Sequence, residues 1–261
     1  YEIAQCLVGS EMCIRDRALA GCGVELSHLE FTSKANTALA FVSLAENGQR
    51  TFSFCRKPSA DLLYAPEQID PGWFSQAFAL HFCSVSLVDS PMRYAHLAAI
   101  TAAREAGAIL SFDPNLRFPL WPDREQLRQT VWQFLPLTHI LKLSDEELPF
   151  LTGTEDIEAA LPALFTGDVQ LVLFTCGSKG ARAYTRTASA RARSPKVTAV
   201  DTTGAGDAFF AGTVIGLTYG KTLAESCEIG SRLAASVICI TENVCPRFRP
   251  QEFGLDVPVV D

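Results

Sequence analysis

The 261-residue chain has nine cysteines but no C-x-x-C pair, and its four histidines stand apart with no E-x-x-H spacing. Zinc centres need closely spaced ligands, and disulfide frameworks need an even set of thiols in an oxidising compartment. An odd number of cysteines, most of them in apolar runs, is expected to be buried thiol in a reducing cytosol. No apolar stretch reaches the length of a membrane span, and no basic, apolar, small-residue segment opens the chain. The expectation is a soluble, cytoplasmic protein without a membrane partner. Positive charge is in deficit: 22 Lys and Arg face 29 Asp and Glu, a net charge of -7. Such a surface repels nucleic acid unless a local basic patch overrides it. Arg182, Arg186, Arg191 and Arg193 spread through a predicted strand pair instead of forming one. Trp73, Trp121 and Trp132 are too far apart to make a stacking platform. There is no internal repeat, low-complexity tract or long linker. What remains is an ordinary globular balance of 48% hydrophobic and 20% charged residues.

Apolar patterning supplies the architecture. Thr37 to Ala45 and Thr51 to Arg56 read as strands joined through Asn47-Gly48, a pair that supplies the positive φ of a tight hairpin. Buried strands follow at Ala77–Val85, Ala108–Phe112, His139–Leu143 and Val169–Thr175. Helix patterns lie at Pro91–Ala106, Arg124–Phe134, Asp145–Leu151 and Ile157–Phe165. Further strand pieces lie near Arg182–Thr185 and Ala190–Ala192, and helices at about Ala205–Tyr219 and Leu223–Ile240. Alternating strand and helix predict an α/β fold, a mostly parallel sheet with helices on both faces.

The most informative stretch is Asp201-Thr-Thr-Gly-Ala-Gly-Asp-Ala-Phe-Phe-Ala-Gly212, which follows the extended Val197–Val200. Gly204, Ala205 and Gly206 are small and lead straight into an apolar helix. A helix N-terminus presents unpaired N–H groups and the positive end of the dipole, and small residues let an anion approach them. Asp207 falls in the first turn, where a carboxylate can accept a proton from an attacking hydroxyl. Read alone, Asp207 is simply a first-turn acid favoured by the dipole. Neither common phosphate loop is present. G-x-G-x-x-G would need glycine at Phe209, and Gly216–Thr222 is one residue short of a Walker A loop.

Three strand ends carry supporting pieces. Thr175-Cys-Gly-Ser-Lys-Gly180 suits a turn lying against nucleotide phosphates, or a plain β-turn. Lys142-Leu-Ser-Asp-Glu-Glu147 contains Ser144-x-x-Glu147, the spacing of a capping box. Asp113-Pro-Asn-Leu-Arg117 closes a strand, and Arg117 is placed either to neutralise phosphate or to hold a substrate hydroxyl, or else lies in a polar surface loop.

Asp201–Gly212, together with these pieces in their order, resembles the PfkB (ribokinase-like) carbohydrate kinases over roughly Gly23 to Thr241, with fructokinases most similar. The resemblance implies a Rossmann-type central sheet, a small β lid at about residues 37–56, and ATP-dependent phosphorylation of a sugar hydroxyl. It assigns Asp207 as the base and the Gly204, Ala205 and Gly206 backbone as the anion hole. Thr175, Gly177, Ser178, Gly180, Lys142 and Glu147 would bind the nucleotide. Asp113, Asn115 and Arg117 would lie near the sugar, and Asp201 and Thr203 would hold a monovalent cation such as K+. Glu147 would order Mg2+ through water, although serine stands at 144 where the family has asparagine. ATP is expected along Thr175–Gly180 and the Ala234–Asn243 side. Fructose is the favoured substrate; ribokinase, 2-keto-3-deoxygluconate kinase and aminoimidazole riboside kinase activities, or a non-catalytic sensor, are the alternatives. A homodimer through the lid is a further family expectation.

The sequence also departs from the family. The run CLVGSEMCIRDR resembles a translated sequencing adapter, so residues 1–17 are expected to be non-native and 18–261 to form the kinase domain. The family's opening Gly-Glu or Gly-Asp strand and its Gly-Gly-x-x-x-Asn motif are not found. An incomplete lid, an unpaired sheet edge and a poorly stable, inactive chain are therefore expected. Thr241–Arg247 replaces a Gly-Ala turn that the family carries near the cation and adenine.

Overall fold

The computed structural model describes residues 20–21, 23–44, 50–240 and 249–255. Residues 1–17, the Asn47-Gly48 turn and Thr241–Arg247 lie outside the described residues.

β1 (Leu39–Leu44) and β2 (Arg50–Cys55) pair antiparallel, Leu39 opposite Cys55 and Leu44 opposite Arg50. They form a two-stranded sheet separate from the main one. Arg56 ties the base of this hairpin to the body of the protein, bonding Asp61 and the carbonyl of Val85.

The main sheet has six strands in the order β3 (Ala79–Cys83), β4 (Ile109–Asp113), β5 (Ile140–Ser144), β6 (Leu171–Thr175), β7 (Ala181–Thr185) and β8 (Ser189–Ala192). β3 to β6 run parallel, and β7 and β8 return antiparallel. Between the parallel strands lie α1 (Pro91–Glu105), α2 (Arg124–Phe134), α3 (Leu148–Thr152) and α4 (Ile157–Leu164). α5 (Ala205–Thr218) and α6 (Leu223–Val237) follow the last strand. Local chemistry fixes several ends. Asp123 caps Gln126 N–H at 2.7 Å, Thr222 and Glu225 form a capping box, and Pro91 opens α1.

Alternation along each strand builds two cores. Leu110, Phe112, Leu141, Leu143, Val172 and Phe174 face α1 to α4. Ile140, Leu171, Leu173, Ala181 and Ala183 face Phe209, Phe210 and Cys227 of α5 and α6. The helices therefore cover both faces, as the apolar runs predict.

Three features differ from the sequence reading. The helix read as Asp145–Leu151 begins only at Leu148, because Ser144–Glu147 closes as a turn with Glu147 N–H on the Ser144 carbonyl. Val197–Val200, read as extended, join no strand ladder. Of the five described cysteines only Cys227 is buried; Cys55 and Cys239 are exposed.

β3 is an edge. Among the described residues it pairs with β4 alone, and its accessibility contrasts with the buried β4 to β6. Phe78, just before it, is 56% exposed.

Candidate active site

α5 begins where an unusual backbone allows it to. Gly204 occupies the N-cap with φ 79°, a left-handed conformation that costs glycine little. No side chain caps this end. Ala205 N–H is bonded to the Thr202 carbonyl at 3.3 Å, and Ala208 N–H to the Gly204 carbonyl at 2.9 Å. Among the described residues, the N–H groups of Gly206 and Asp207 donate to no carbonyl of the preceding loop. Two adjacent donors at the positive end of a helix make an anion cradle. The preceding loop is held by Asp201 Oδ1, which accepts Thr203 N–H at 2.7 Å. Val200 and Asp201 N–H both donate to the Ile238 carbonyl at the end of α6, at 2.8 and 3.2 Å.

Beneath the bend lie the C-terminal ends of the parallel strands, where open α/β sheets bind ligands. Alternation points Asp113 of β4 and Lys142 of β5 to the α5 side. Lys142 Nζ and Asp113 Oδ2 form an ion pair of 2.8 Å. Lys142 is 7% and Asp113 2% exposed, so both head groups lie below the surface. The other Asp113 oxygen accepts Asn115 N–H at 3.1 Å, helping to hold Asn115 at its left-handed φ of 44°. Lys142 also reaches the bend itself: a Cβ placed on Gly206 would sit 3.0 Å from Nζ.

Glu147 is 8% exposed. Its Oε1 accepts Leu116 N–H at 2.9 Å, and its Oε2 accepts Ser144 N–H and hydroxyl at 2.9 and 2.8 Å. Ser144-x-x-Glu147 therefore acts as a side-chain-closed turn and not as a helix-capping box, since the Ser144 hydroxyl donates instead of accepting. Glu147 locks the Asp113–Arg117 loop against the end of β5.

These charges shape one another. Burial pushes the Asp113 carboxyl up to about 6; Lys142 opposes that rise, while Glu147 and Asp207 reinforce it. Burial pulls the Lys142 ammonium down, but Asp113, Glu147 and Asp207 more than offset it, and the net displacement is upward. Asp207 is exposed, and its field reaches Asp113, Lys142, His81 and Cys83. Its carboxylate therefore lies near the strand ends.

His81 packs in this neighbourhood too. Its ring stacks on Phe210 of α5 at 4.3 Å, and Nδ1 lies 2.9 Å from Ser111 Oγ. Desolvation holds the imidazole below its usual range, Asp207 pulls it up, and Lys142 pushes it down. The signal for it was available: His81, Ser111, Asp113 and Lys142 are polar residues at alternating positions in otherwise apolar strands.

Thr175 ends β6 beside Ser144, its hydroxyl on the Leu143 carbonyl at 3.3 Å. Gly177 (φ 51°), Ser178 and Lys179 form an exposed single turn after it. Gly180 has a different role. Its φ is 92°, and a Cβ would lie 2.2 Å from the Ala192 carbonyl, so it exists to let β7 start against β8. Arg117 is half-buried, with a guanidinium N–H on the Leu116 carbonyl at 3.0 Å.

Amides free of loop carbonyls, an adjacent exposed carboxylate and a buried cation beneath make an arrangement that can hold an anionic group. The chain belongs to the pfkB family of carbohydrate kinases, whose family model matches residues 16–242. It is 45% identical over 189 residues to a probable fructokinase-4 of Arabidopsis thaliana, covering 72% of this chain and 58% of that protein. It is 40% identical over 205 residues to fructokinase-2 of Solanum lycopersicum, covering 78% and 62%. The chain thus spans a little over half the length of the curated relatives it matches. Among solved structures, the fructokinase of Vibrio cholerae in a fructose-, ADP- and calcium-bound form superposes with a TM-score of 0.81 at 32% identity, covering 92% of this chain and 80% of that one. No helix among the described residues is long and apolar enough to cross a membrane.

Proposed function

We propose that this protein catalyses transfer of the γ-phosphoryl group of ATP to a hydroxyl of a sugar, with fructose converted to fructose 6-phosphate. The observation that carries the reading is the Asp207 carboxylate, set in the first turn of α5 beside the free amides of Gly206 and Asp207 and near the charged strand ends. The similarity to fructokinases selects the substrate class.

In this reading Asp207 accepts the proton of the attacking hydroxyl. The amides of the Gly204–Asp207 bend take up charge on the migrating phosphoryl group, and need no rearrangement to do so. Thr175, Gly177 and Ser178 border the nucleotide. Asn115 and Arg117, on the loop that Glu147 holds, orient the sugar. Glu147 fits a role in ordering Mg2+ through water, since Oε1 has one donor and retains a free lone pair. Mg2+, when bound, would neutralise part of the phosphate charge. The Asp201–Thr203 loop is the candidate for a monovalent cation such as K+. Leu39 and Phe41 are exposed on β1, and a second copy pairing through this hairpin would cover them.

The test is a coupled assay of ATP-dependent fructose phosphorylation, run beside calorimetric ADP binding. Asp207→Asn should lower turnover by about 10²- to 10⁴-fold, the range of general-base catalysis, while ADP binds as before. A protein that binds ADP but phosphorylates no sugar would support a sensor instead.

A further inference from the structure

Lys142 and Asp113 sit under the bend and are only 7% and 2% exposed. Asp113 uses one oxygen on Lys142 and the other on Asn115 N–H. Lys142 lies with its ammonium against Gly206, where even a methyl group would approach to 3.0 Å. A buried ion pair that leaves one end against a peptide unit is an oriented dipole. Its positive end abuts the residue whose amide, with that of Asp207, is free to receive an anion.

We propose that Lys142 is a positioning residue that backs the anion cradle electrostatically through the Gly206 peptide, touching neither nucleotide nor sugar, and that Asp113 is the anchor that fixes its ammonium there. The inference rests on the phosphoryl-transfer reading and replaces nucleotide contact for Lys142 and sugar contact for Asp113. Charge behind a peptide, in a site with little water between, acts on charge that develops in front of it. A side chain at 206 would displace the ammonium. The upward displacement of Lys142 keeps it a cation throughout the working range. Asp113, whose carboxyl is pushed up to about 6, is ionised above that value.

The experiment compares wild type, Lys142→Met, Asp113→Asn and the double variant Lys142→Met/Asp113→Asn. Three readouts are thermal midpoint, Kd for ADP, and Kd for ADP with fluoroaluminate in Mg2+, a mimic of the transferring phosphoryl group. Lys142→Met alone strands a buried carboxylate and should lower the midpoint; the double variant should recover most of it. ADP alone should bind all four within about twofold. The mimic should bind both Lys142→Met proteins about 10²-fold more weakly, the scale of losing one charge-stabilising group, and turnover should fall with it at unchanged KM. A purely structural role predicts that mimic affinity recovers with stability in the double variant, which would overturn the inference. A tenfold loss of ADP affinity in Lys142→Met would overturn it too, by making Lys142 a direct nucleotide ligand. A wild type that binds ADP but phosphorylates no sugar would sink the substrate reading alone, and the mimic still decides the role of Lys142. A wild type that binds neither probe would sink the phosphoryl-transfer reading, and this inference with it.

Discussion

At the turn after β6, Gly180 has no room for a side chain: a Cβ would lie 2.2 Å from the Ala192 carbonyl. At the bend before α5, Gly204 has ample room, with Val237 Cγ1 at 3.8 Å, and needs glycine for its φ of 79°. Two residues on, what a Cβ at Gly206 would meet is the end of one charged side chain, Lys142 Nζ at 3.0 Å and Cε at 3.4 Å. The first turn is filled by backbone and serves strand pairing. The second is kept open above a charge, where the proposed anion would lie. Glycine in a motif therefore has no single meaning, and what would strike its missing side chain tells the roles apart.

Four measurements sharpen or break this contrast. Gly180→Ala forces both a disallowed φ and a backbone overlap, and should cost about 3 kcal/mol or more of unfolding free energy in a denaturant titration. A loss below about 1 kcal/mol would mean that β7 and β8 can separate there.

The second concerns pH. The raised folded value of Asp113 means that the native state holds this proton more tightly than the unfolded chain. Its stabilising contribution is thus full below the ordinary value of 3.8 and is lost as pH rises through about 6. At about 1.4 kcal/mol per unit, the unfolding free energy of wild type minus that of Asp113→Asn should fall by roughly 2 kcal/mol between pH 4 and 7. A flat difference would show that the pair is not buried in solution. No corresponding term is expected from Gly177→Ala or Gly180→Ala.

Gly206→Ala should be the reverse of Gly180→Ala, with little stability lost, since a lysine end can shift, but turnover down on the order of 10- to 100-fold from a displaced charge. Equal losses of stability in the two variants would erase the distinction between the turns. The smallest effect belongs to Gly177→Ala. Its site is open and strained only by φ 51°, and about 1 kcal/mol is expected by chemical denaturation.

The order of strands and helices was legible because buried parallel strands are short apolar runs and the helices between them carry one apolar stripe. The start of α3 was not, since Ser144 and Glu147 have the spacing of a cap but their hydroxyl and carboxylate bond each other. Asp207 and the bend were legible as a local motif. The Lys142–Asp113 pair was not, because its members are on different strands and meet only through the β4–β5 register. The role of Gly180 was hidden for the same reason: its obstacle, Ala192, belongs to another strand. The polar alternation of His81 with its neighbouring strands was legible, but its stacking on Phe210 of α5 was not, because the two meet only in the folded chain.

The two long helices after the last strand touch through glycine. A Cβ on Gly212 would come 2.8 Å from the Gly230 Cα, and one on Gly230 would come 2.5 Å from the Phe209 carbonyl. α6 also holds the Asp201 loop through the Ile238 carbonyl. Neither helix can loosen without the other, so their amides should exchange with deuterium as one cooperative unit. The carboxylate at the head of α5 would then keep its place for as long as that unit stays closed.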